Sequence, residues 1–308
     1  MTTTDTGGHP VAATSIVVAT DGSDDADRAV RWAAEQAFLE RRPLTVVTAI
    51  GIPGVPAVAW SGVGAAYAYD PEQLQESGRA ITSAAVELAR QLHPDLEVTS
   101  AVLLGDPRHV LVELSREVYL IVVGSRGRGV FRSKLLGSVS AAVSRDAGCP
   151  VVVCRPRPEE STDAGILVGA DGTPESLPVI EFAFRQAALM DLPLTVVHAV
   201  WDEVGAVHGP TPVSPREAGL DEYRVLLGES VAGISSKFSE VRVELQLARG
   251  MAEDCLTDTS ATWDLIVVGR HPVDSLLRLV TGAVATSVVE RSRTTVAVVP
   301  QADPPAEI

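Results

Sequence analysis

Three glycines and several basic residues follow a short apolar run in the segment IVVGSRGRGVFRSKLLGS, which starts at Ile121. Gly124, Gly127 and Gly137 lack a Cβ atom, so the backbone beside them can approach a bound anion closely. Gly137 and Ser138 also begin a stretch with helical spacing, where free N–H groups and the helix dipole attract negative charge. An isolated Gly-x-x-Gly could form a simple turn, but these features together predict a phosphate-binding loop.

This loop differs from two widespread phosphate-binding motifs. It lacks the Gly-Lys-Ser/Thr end of a P-loop, and no Gly-x-Gly-x-x-Gly opens the first strand–helix turn near Asp21. No histidine or carboxylate that could act as a general base lies close to the loop in sequence. We therefore expect nucleotide binding without efficient catalysis, at most a slow ATPase, and assign no catalytic residue.

Residues after the other predicted strands would complete the rim of the same cleft. Asp21, in VVATDGS, either accepts a hydrogen bond from a ribose hydroxyl or serves the next helix as an N-cap or turn aspartate. Gly105, in LLGDPRHV, would allow a ligand to approach, while Asp106 before Pro107 is typical of a helix cap. Because the carboxyl ends of parallel strands meet at one edge of a sheet, we expect these residues near Gly124.

The segments that must position these residues alternate between short apolar runs and longer stretches with helical spacing. The runs are apolar throughout, as in strands that are buried on both faces of a parallel sheet. In the first half of the chain we predict strands at 15–20, 44–50, 97–104, 119–123 and 150–154, and helices at 24–41 and 71–93. This order predicts a three-layer, doubly wound α/β domain with a five-stranded parallel sheet.

The same pattern occurs twice in the chain. VVATDGS at 17–23 matches LVGADGT at 167–173, and YLIVVGSRG matches DLIVVGRHP further along. Such internal similarity indicates two tandem copies of one domain. We place the copies at residues 14–156 and 164–300, joined by a segment rich in proline and charge that suits an exposed linker.

Composition limits the possible classes of protein. The chain has 308 residues, of which 46% are hydrophobic, enough to bury two cores. Its three cysteines show no CxxC spacing, so we expect neither disulfides nor a protein-bound metal. The net charge of −15 disfavours binding to nucleic acid or to anionic membranes, and no signal-peptide or membrane-spanning pattern is evident. These features favour a cytoplasmic protein.

The motifs together resemble a known family. The pattern Gly124-x2-Gly127-x9-Gly137-Ser138, with DGS after the first strand, GDP after the third and a terminal CPVVVC strand, is similar to that of the ATP-binding branch of the universal stress protein family. The similarity extends over both copies. It implies an adenine nucleotide alpha hydrolase-like fold, ATP with Mg²⁺ as the ligand, and a regulatory role in the stress response.

The resemblance also implies positions for the ligand. Phosphates would bind at Gly124, Ser125, Arg126, Gly127, Arg128, Gly137, Ser138 and Val139, and adenine and ribose near Ala19, Asp21, Ala49 and Gly105. In the family, domains pair through their last strands, so 150–154 and 295–299 would meet within the chain as an internal pseudo-dimer. We also expect a homodimer; the sequence identifies no signalling partner.

The second copy departs from this pattern. It keeps Asp171, Gly269 and Gly282, but Pro272 replaces the second glycine of the loop and Ala283 replaces the serine. Proline has no N–H and a fixed φ, so a phosphate donor is lost. The second copy is either a weaker ATP site or a structural copy that supports the first, and we favour the structural role.

Three functions from different classes remain open. The protein is a nucleotide-binding regulator, a slow ATPase, or a nucleotide-free scaffold that binds a partner. The intact loop of the first copy favours the regulator over the scaffold, and the missing catalytic groups disfavour the ATPase.

Overall fold

The computed structural model describes residues 11–51, 71–127, 136–156, 164–201, 209–258, 262–271 and 278–302. Its internal contacts divide the chain into two compact units. The first unit comprises Met1–Val130 with Ala147–Cys149, and the second comprises Phe131–Asp146 with Pro150–Ile308. The helix and strand between residues 138 and 154, which belong to the first copy in sequence, therefore group mainly with the second unit.

The first unit is a parallel sheet covered by helices. Its elements in chain order are β1 (Ile16–Ala19), α1 (Asp24–Glu40), β2 (Leu44–Ile50), α2 (Pro71–Leu92), β3 (Val98–Leu104), α3 (Pro107–Leu114) and β4 (Leu120–Gly124). The strand order is β3-β2-β1-β4, with every pair parallel. The order reverses between β1 and β4, which is where doubly wound sheets open a crevice at the carboxyl ends of their strands.

The second unit repeats this arrangement with additions. Its elements are α4 (Ser138–Asp146), β5 (Val151–Cys154), β6 (Ile166–Gly169), a 3₁₀ turn (Pro174–Ser176), α5 (Leu177–Met190), β7 (Leu194–Val200), β8 (Thr211–Pro212), α6 (Asp221–Ser235), β9 (Val243–Arg249), α7 (Ala252–Thr257), β10 (Leu265–Arg270), α8 (Arg278–Arg291) and β11 (Val296–Pro300). Five strands run parallel in the order β11-β10-β6-β7-β9. The predicted α/β class and five-stranded parallel sheet are confirmed.

The last strands of the two copies pair with each other, as the resemblance implies. Within the second unit β5 runs antiparallel to β11, with Val153 opposite Val296 and Val151 opposite Val298. These valines are almost completely buried. Arg155, which follows β5, donates to the carbonyl oxygens of Val289 and Glu290 in the last turn of α8, where a cation also stabilises the negative end of the helix dipole.

Helix α1 packs closely on its sheet because its inner face is made of small residues. Ala29, Ala33 and Ala37 are fully buried, as their spacing predicts. The helix ends at Arg41, whose left-handed backbone has φ 54°. Within the described part of the chain, none of the helices is both long enough and apolar enough to span a membrane.

Helix α2 approaches its sheet through a single glycine. A Cβ atom on Gly78 would overlap Ile50 Cδ1 and lie 2.8 Å from Val102 Cγ1, so a side chain here would force the helix or these side chains of β2 and β3 to shift. By contrast, a Cβ atom on Gly233 in α6 would meet no atom within 4 Å.

We therefore expect alanine to have opposite effects at these two helical glycines. Gly78→Ala should lower the free energy of unfolding by about 1–3 kcal/mol, because the added methyl overpacks the helix against the sheet. Gly233→Ala should raise it by about 0.5–1 kcal/mol through helix propensity alone. Urea unfolding of both variants checks this, and a stabilised Gly78→Ala variant would contradict the packing of α2.

Candidate functional site

The turn after β1 lies at the carboxyl edge of the first unit's sheet. Two interactions hold this turn against the neighbouring strand: Thr20 N–H donates to Val47 O at 2.9 Å, and Thr48 Oγ1 donates to Thr20 O at 3.0 Å. Gly22 follows in the left-handed region, with φ 73°. The turn therefore directs the chain from the strand into α1 with Asp21 at the sheet edge.

Asp21 closes this turn and faces the glycine loop. Its Oδ1 accepts from Ser23 N–H at 3.0 Å, while the N-cap of α1 is Ser23, whose Oγ accepts from Ala26 N–H. Asp21 is thus a turn aspartate, and the N-cap of the helix is Ser23. Its Oδ2 lies against Gly127, where a Cβ atom would overlap it. The structure brings the predicted ribose residue and the predicted phosphate loop together.

Gly124 ends β4 directly above the first turn of α1. A Cβ atom here would lie 2.7 Å from the carbonyl carbon and oxygen of Asp25. The glycine therefore has a packing role in addition to the ligand approach that its position in the loop predicts. Only a residue without a side chain lets β4 come this close to the start of the helix.

The carboxylate of Asp25 holds the next two residues of the loop. Its Oδ2 accepts from Ser125 Oγ at 2.7 Å and from Arg126 Nε at 3.2 Å, and Oδ1 accepts from Arg28. Asp25 is 6% exposed and Ser125 is fully buried. The sequence did not single out Asp25, because Asp24 and Asp27 beside it look the same. In the structure Asp25 is buried, whereas Asp24 and Asp27 are exposed.

These partners keep Asp25 ionised. Burial alone would raise its pKa, but the hydrogen bonds from Ser125 and Arg126 and the charge of Arg28 outweigh burial and hold the pKa below its ordinary value of 3.8. The site therefore contains a buried negative charge that is bonded to the loop at neutral pH.

The ends of β2 and β3 form the rest of the rim. Gly105, with φ 136°, donates its N–H to Ile50 O at 2.8 Å, next to the half-buried Ala49. Asp106 caps α3, as predicted, by accepting from Arg108 N–H at 3.0 Å. The Arg108 side chain also binds this carboxylate, so Asp106 is committed to the helix start.

The remaining predicted phosphate residues fall into two groups. Arg128 lies outside the described residues. Gly137 directly precedes α4, and Ser138 and Val139 are its first two residues, all in the second unit. Ala141 N–H donates to Gly137 O at 2.9 Å, a hydrogen bond of the first turn of this helix. The predicted helix start is confirmed.

In the second copy, the chain itself binds the residue that corresponds to Asp21. Asp171 Oδ1 accepts from Thr173 N–H at 2.9 Å and from Thr173 Oγ1 at 2.7 Å, and its Oδ2 accepts from Gln301 Nε2 at 2.8 Å. Gln301 is only 9% exposed. A Cβ atom on Gly269 would lie 3.1 Å from the same Nε2. Gln301 thus lies against two of the three positions that this copy retains, and no sequence motif predicts this role.

Backbone hydrogen bonds fix Gln301 in this place. Its N–H donates to Arg270 O at 2.9 Å, and the next residue, Ala302, donates to Glu175 O at 2.9 Å. Gly282 is the fifth residue of α8, whereas Gly137 precedes its helix. Pro272 lies outside the described residues.

Side chains from α6 cover the other part of the second-copy edge. A Cβ atom on Gly172 would overlap Leu226, and the ring of Tyr223 stacks on His198 with centroids 5.5 Å apart. His198 Nδ1 lies 2.8 Å from Ala170 O, and at the corresponding place in the first copy Thr48 Oγ1 lies 3.0 Å from Thr20 O. No group of three or more His, Cys, Asp or Glu residues able to hold a metal ion occurs within the described segments.

The strand order defines a class: doubly wound α/β proteins, in which ligands usually bind at the carboxyl edge of the sheet where the strand order reverses. The model of the universal stress protein family matches the chain twice, at residues 13–155 and 165–300. The chain belongs to the universal stress protein family.

Relatives cover nearly the whole chain. Universal stress protein Rv2005c of Mycobacterium tuberculosis is 33% identical over 301 residues, which are 93% of this chain and 97% of that protein. A universal stress protein of Mycolicibacterium smegmatis is 30% identical over 295 residues, 92% and 96% of the two chains. The crystal structure of a universal stress protein from Archaeoglobus fulgidus covers 93% of this chain and 98% of its own, with a TM-score of 0.67 and 18% identity, and shows the same fold.

Asparagine at position 25 should change the pH dependence of stability. An aspartate whose pKa is lowered by folding stabilises the folded state fully above its ordinary value of 3.8, and this stabilisation is lost as the pH falls through the lower folded value. The difference in free energy of unfolding between wild type and Asp25→Asn should thus be largest above about pH 5 and shrink toward about pH 3. Urea titrations at several pH values check this, with the exposed Asp24→Asn as control. A difference that stays constant with pH would contradict the assignment.

Proposed function

We propose that the first copy binds ATP at the carboxyl edge of its sheet and that the protein is a stress-response regulator. Nucleotide binding would alter its conformation or its affinity for a partner, without efficient catalysis. The observation that carries this proposal is the loop from Gly124 to Gly127, which packs on the start of α1 and faces Asp21. Family membership supports the same ligand site.

The phosphates would bind where positive groups and exposed backbone coincide. In the loop, Arg126 and Gly127 are exposed, whereas Gly124 and Ser125 are buried. We assign the triphosphate to residues 124–128 together with Gly137, Ser138 and Val139, because the spacing of the family pattern and the helix start at Ser138 favour anions. Mg²⁺ would be held mainly by phosphate oxygens and water, as it prefers in nucleotide complexes.

The nucleoside would lie on the other side of Asp21. The carboxylate is held by the turn through Oδ1 and its Oδ2 lies against Gly127, so Asp21 lies between the turn and the loop, where it would accept a hydrogen bond from a ribose hydroxyl. We place the adenine ring against the strand ends at Ala19 and Ala49, with Gly105 leaving room beside it. Backbone groups would then supply the contacts to adenine.

We propose one nucleotide per chain, with a structural role for the second copy. Asp171 already accepts three hydrogen bonds from Thr173 and Gln301, and Gln301 lies against Gly269. A ligand at Asp171 and Gly269 would have to displace a nearly buried side chain whose backbone is also bonded. The domain limits of 14–156 and 164–300 remain our proposal for the two copies.

The partners of the carboxylates near the loop favour ATP binding over ATP hydrolysis. Asp25 is bound by Ser125 and two arginines, and Asp106 caps α3 and binds Arg108. Neither is arranged to accept a proton from a water molecule. We therefore favour a regulator that retains ATP over an ATPase. We also propose that it acts in the cytoplasm as a homodimer, with no affinity for nucleic acid or membranes at its net charge of −15.

The matched aspartates of the two copies test the single-site proposal. Protein purified without added nucleotide should release about one ATP per chain on denaturation, measured by ion-pair chromatography. Asp21→Ala should remove most of this nucleotide, because the residue faces the cleft, whereas Asp171→Ala should leave it in place. Calorimetric titration of nucleotide-free protein with ATP and Mg²⁺ gives the affinities.

Other results would favour the alternatives. Two ATP molecules per chain, reduced to one by either alanine variant, would show that the second copy also binds. Steady ADP release that is lost in Asp21→Ala would favour a slow ATPase. Absence of nucleotide, with no binding of ATP, ADP or cyclic AMP, would leave the partner-binding scaffold.

A further inference from the structure

We propose that Asp25 is a positioning residue for the phosphate loop: it fixes Ser125 and Arg126 so that the backbone of Gly127 and the Arg126 guanidinium face the nucleotide. This inference rests on the proposed function of the first copy. Asp25 would not contact the ligand itself, since its carboxylate lies beneath the loop.

The first support is the place of Asp25 in the fold. It is the second residue of α1, and its backbone carbonyl lies against Gly124, where a Cβ atom would be 2.7 Å away. The end of β4 therefore rests on Asp25 through main chain, and the loop that follows starts from that contact. A change at this contact would shift the start of the loop and with it the N–H donors of the residues that follow.

The second support is the number of partners that one carboxylate holds. Ser125 Oγ and Arg126 Nε both donate to Oδ2, and Arg28 donates to Oδ1. Ser125 is fully buried, so the hydroxyl has no access to solvent as an alternative partner. Two consecutive loop residues thus donate to the same carboxylate oxygen, which restrains the backbone where Gly127 follows.

The third support is the orientation and charge of Arg126. Its Nε is tied to Asp25, while 46% of the side chain remains exposed at the loop surface. Tying one edge of a guanidinium reduces the entropy lost when its other edge binds phosphate. Arg28 and Arg126 share the one carboxylate of Asp25, so Asp25 does not neutralise both guanidinium groups.

The second copy provides an internal comparison. At the positions of Asp25, Ser125 and Arg126 it has Glu175, Arg270 and His271, so the hydroxyl and the short carboxylate are both absent. The backbone of Glu175 accepts from Ala302, a contact that belongs to the segment carrying Gln301. The aspartate and serine of the anchor are therefore present in the first copy and replaced in the second.

The test compares ligands that differ only in phosphates. Calorimetry with ATP, and competition with adenosine, should be measured for wild type, Asp25→Ala and Asp25→Asn. We expect Asp25→Ala to weaken ATP about 10- to 100-fold, the range for losing hydrogen bonds to a charged group, and to change adenosine less than about 3-fold. Asp25→Asn keeps one acceptor oxygen and should restore part of the ATP affinity.

Asp24→Ala is the matched control, since Asp24 is an exposed carboxylate in the same helical turn. It removes the same formal charge and should change ATP affinity less than about 3-fold. Ser125→Ala gives an independent variant if Asp25→Ala does not fold, and it should also weaken ATP more than adenosine.

The outcomes separate this inference from the proposed function. Wild type that does not bind ATP would overturn both. Wild type that binds, with Asp25→Ala and Ser125→Ala binding ATP as tightly, would overturn the positioning role alone. Equal losses for ATP and adenosine would also overturn it, because a purely structural defect would not distinguish the two ligands.

Discussion

The close contact between the end of β4 and the start of α1 is the constraint on which the site depends. Gly124 lies on the backbone of Asp25, and the Asp25 side chain then bonds Ser125 and Arg126 across 100 residues of sequence. A buried carboxylate is costly unless its oxygens are satisfied, so this anchor is stable only when the loop is in place. The close packing at Gly124, the burial of the Asp25 carboxylate and the conformation of the loop therefore depend on one another.

The two copies share one fold but differ in the side-chain contacts at the carboxyl edge of the sheet. Thr48 and His198 occupy corresponding strand positions, and each bonds the carbonyl at the end of the first strand of its copy. The copies differ at the conserved aspartate: Asp21 faces a glycine loop, whereas Asp171 is bonded by Gln301. Asp171 is exposed and accepts three hydrogen bonds from Thr173 and Gln301, so the corresponding aspartates of the two copies have different partners.

Local pattern predicted most of the fold and part of the site. Apolar runs and helical spacing identified the strands, and the alanine stripe of α1 and the cap at Asp106 follow from rules that act over a few residues. The roles of Asp25 and Gln301 could not be predicted, because they depend on contacts between residues about 100 and 130 positions apart. In the sequence, Asp25 looks like Asp24 and Asp27, and Gln301 looks like any residue after a last strand.

The difference between the copies has a consequence for regulation. A ligand that binds only the folded state stabilises it by mass action, in proportion to how far its concentration exceeds the dissociation constant. In the proposed scheme ATP stabilises the first copy in this way. Asp25 holds the loop of this copy through Ser125, while Arg126 and Gly127 remain exposed. In the same scheme the second copy, where Thr173 and Gln301 bond Asp171, would bind no nucleotide and would gain no such stabilisation. ATP would then raise the unfolding free energy of the first copy alone, and the second copy would serve as the internal reference.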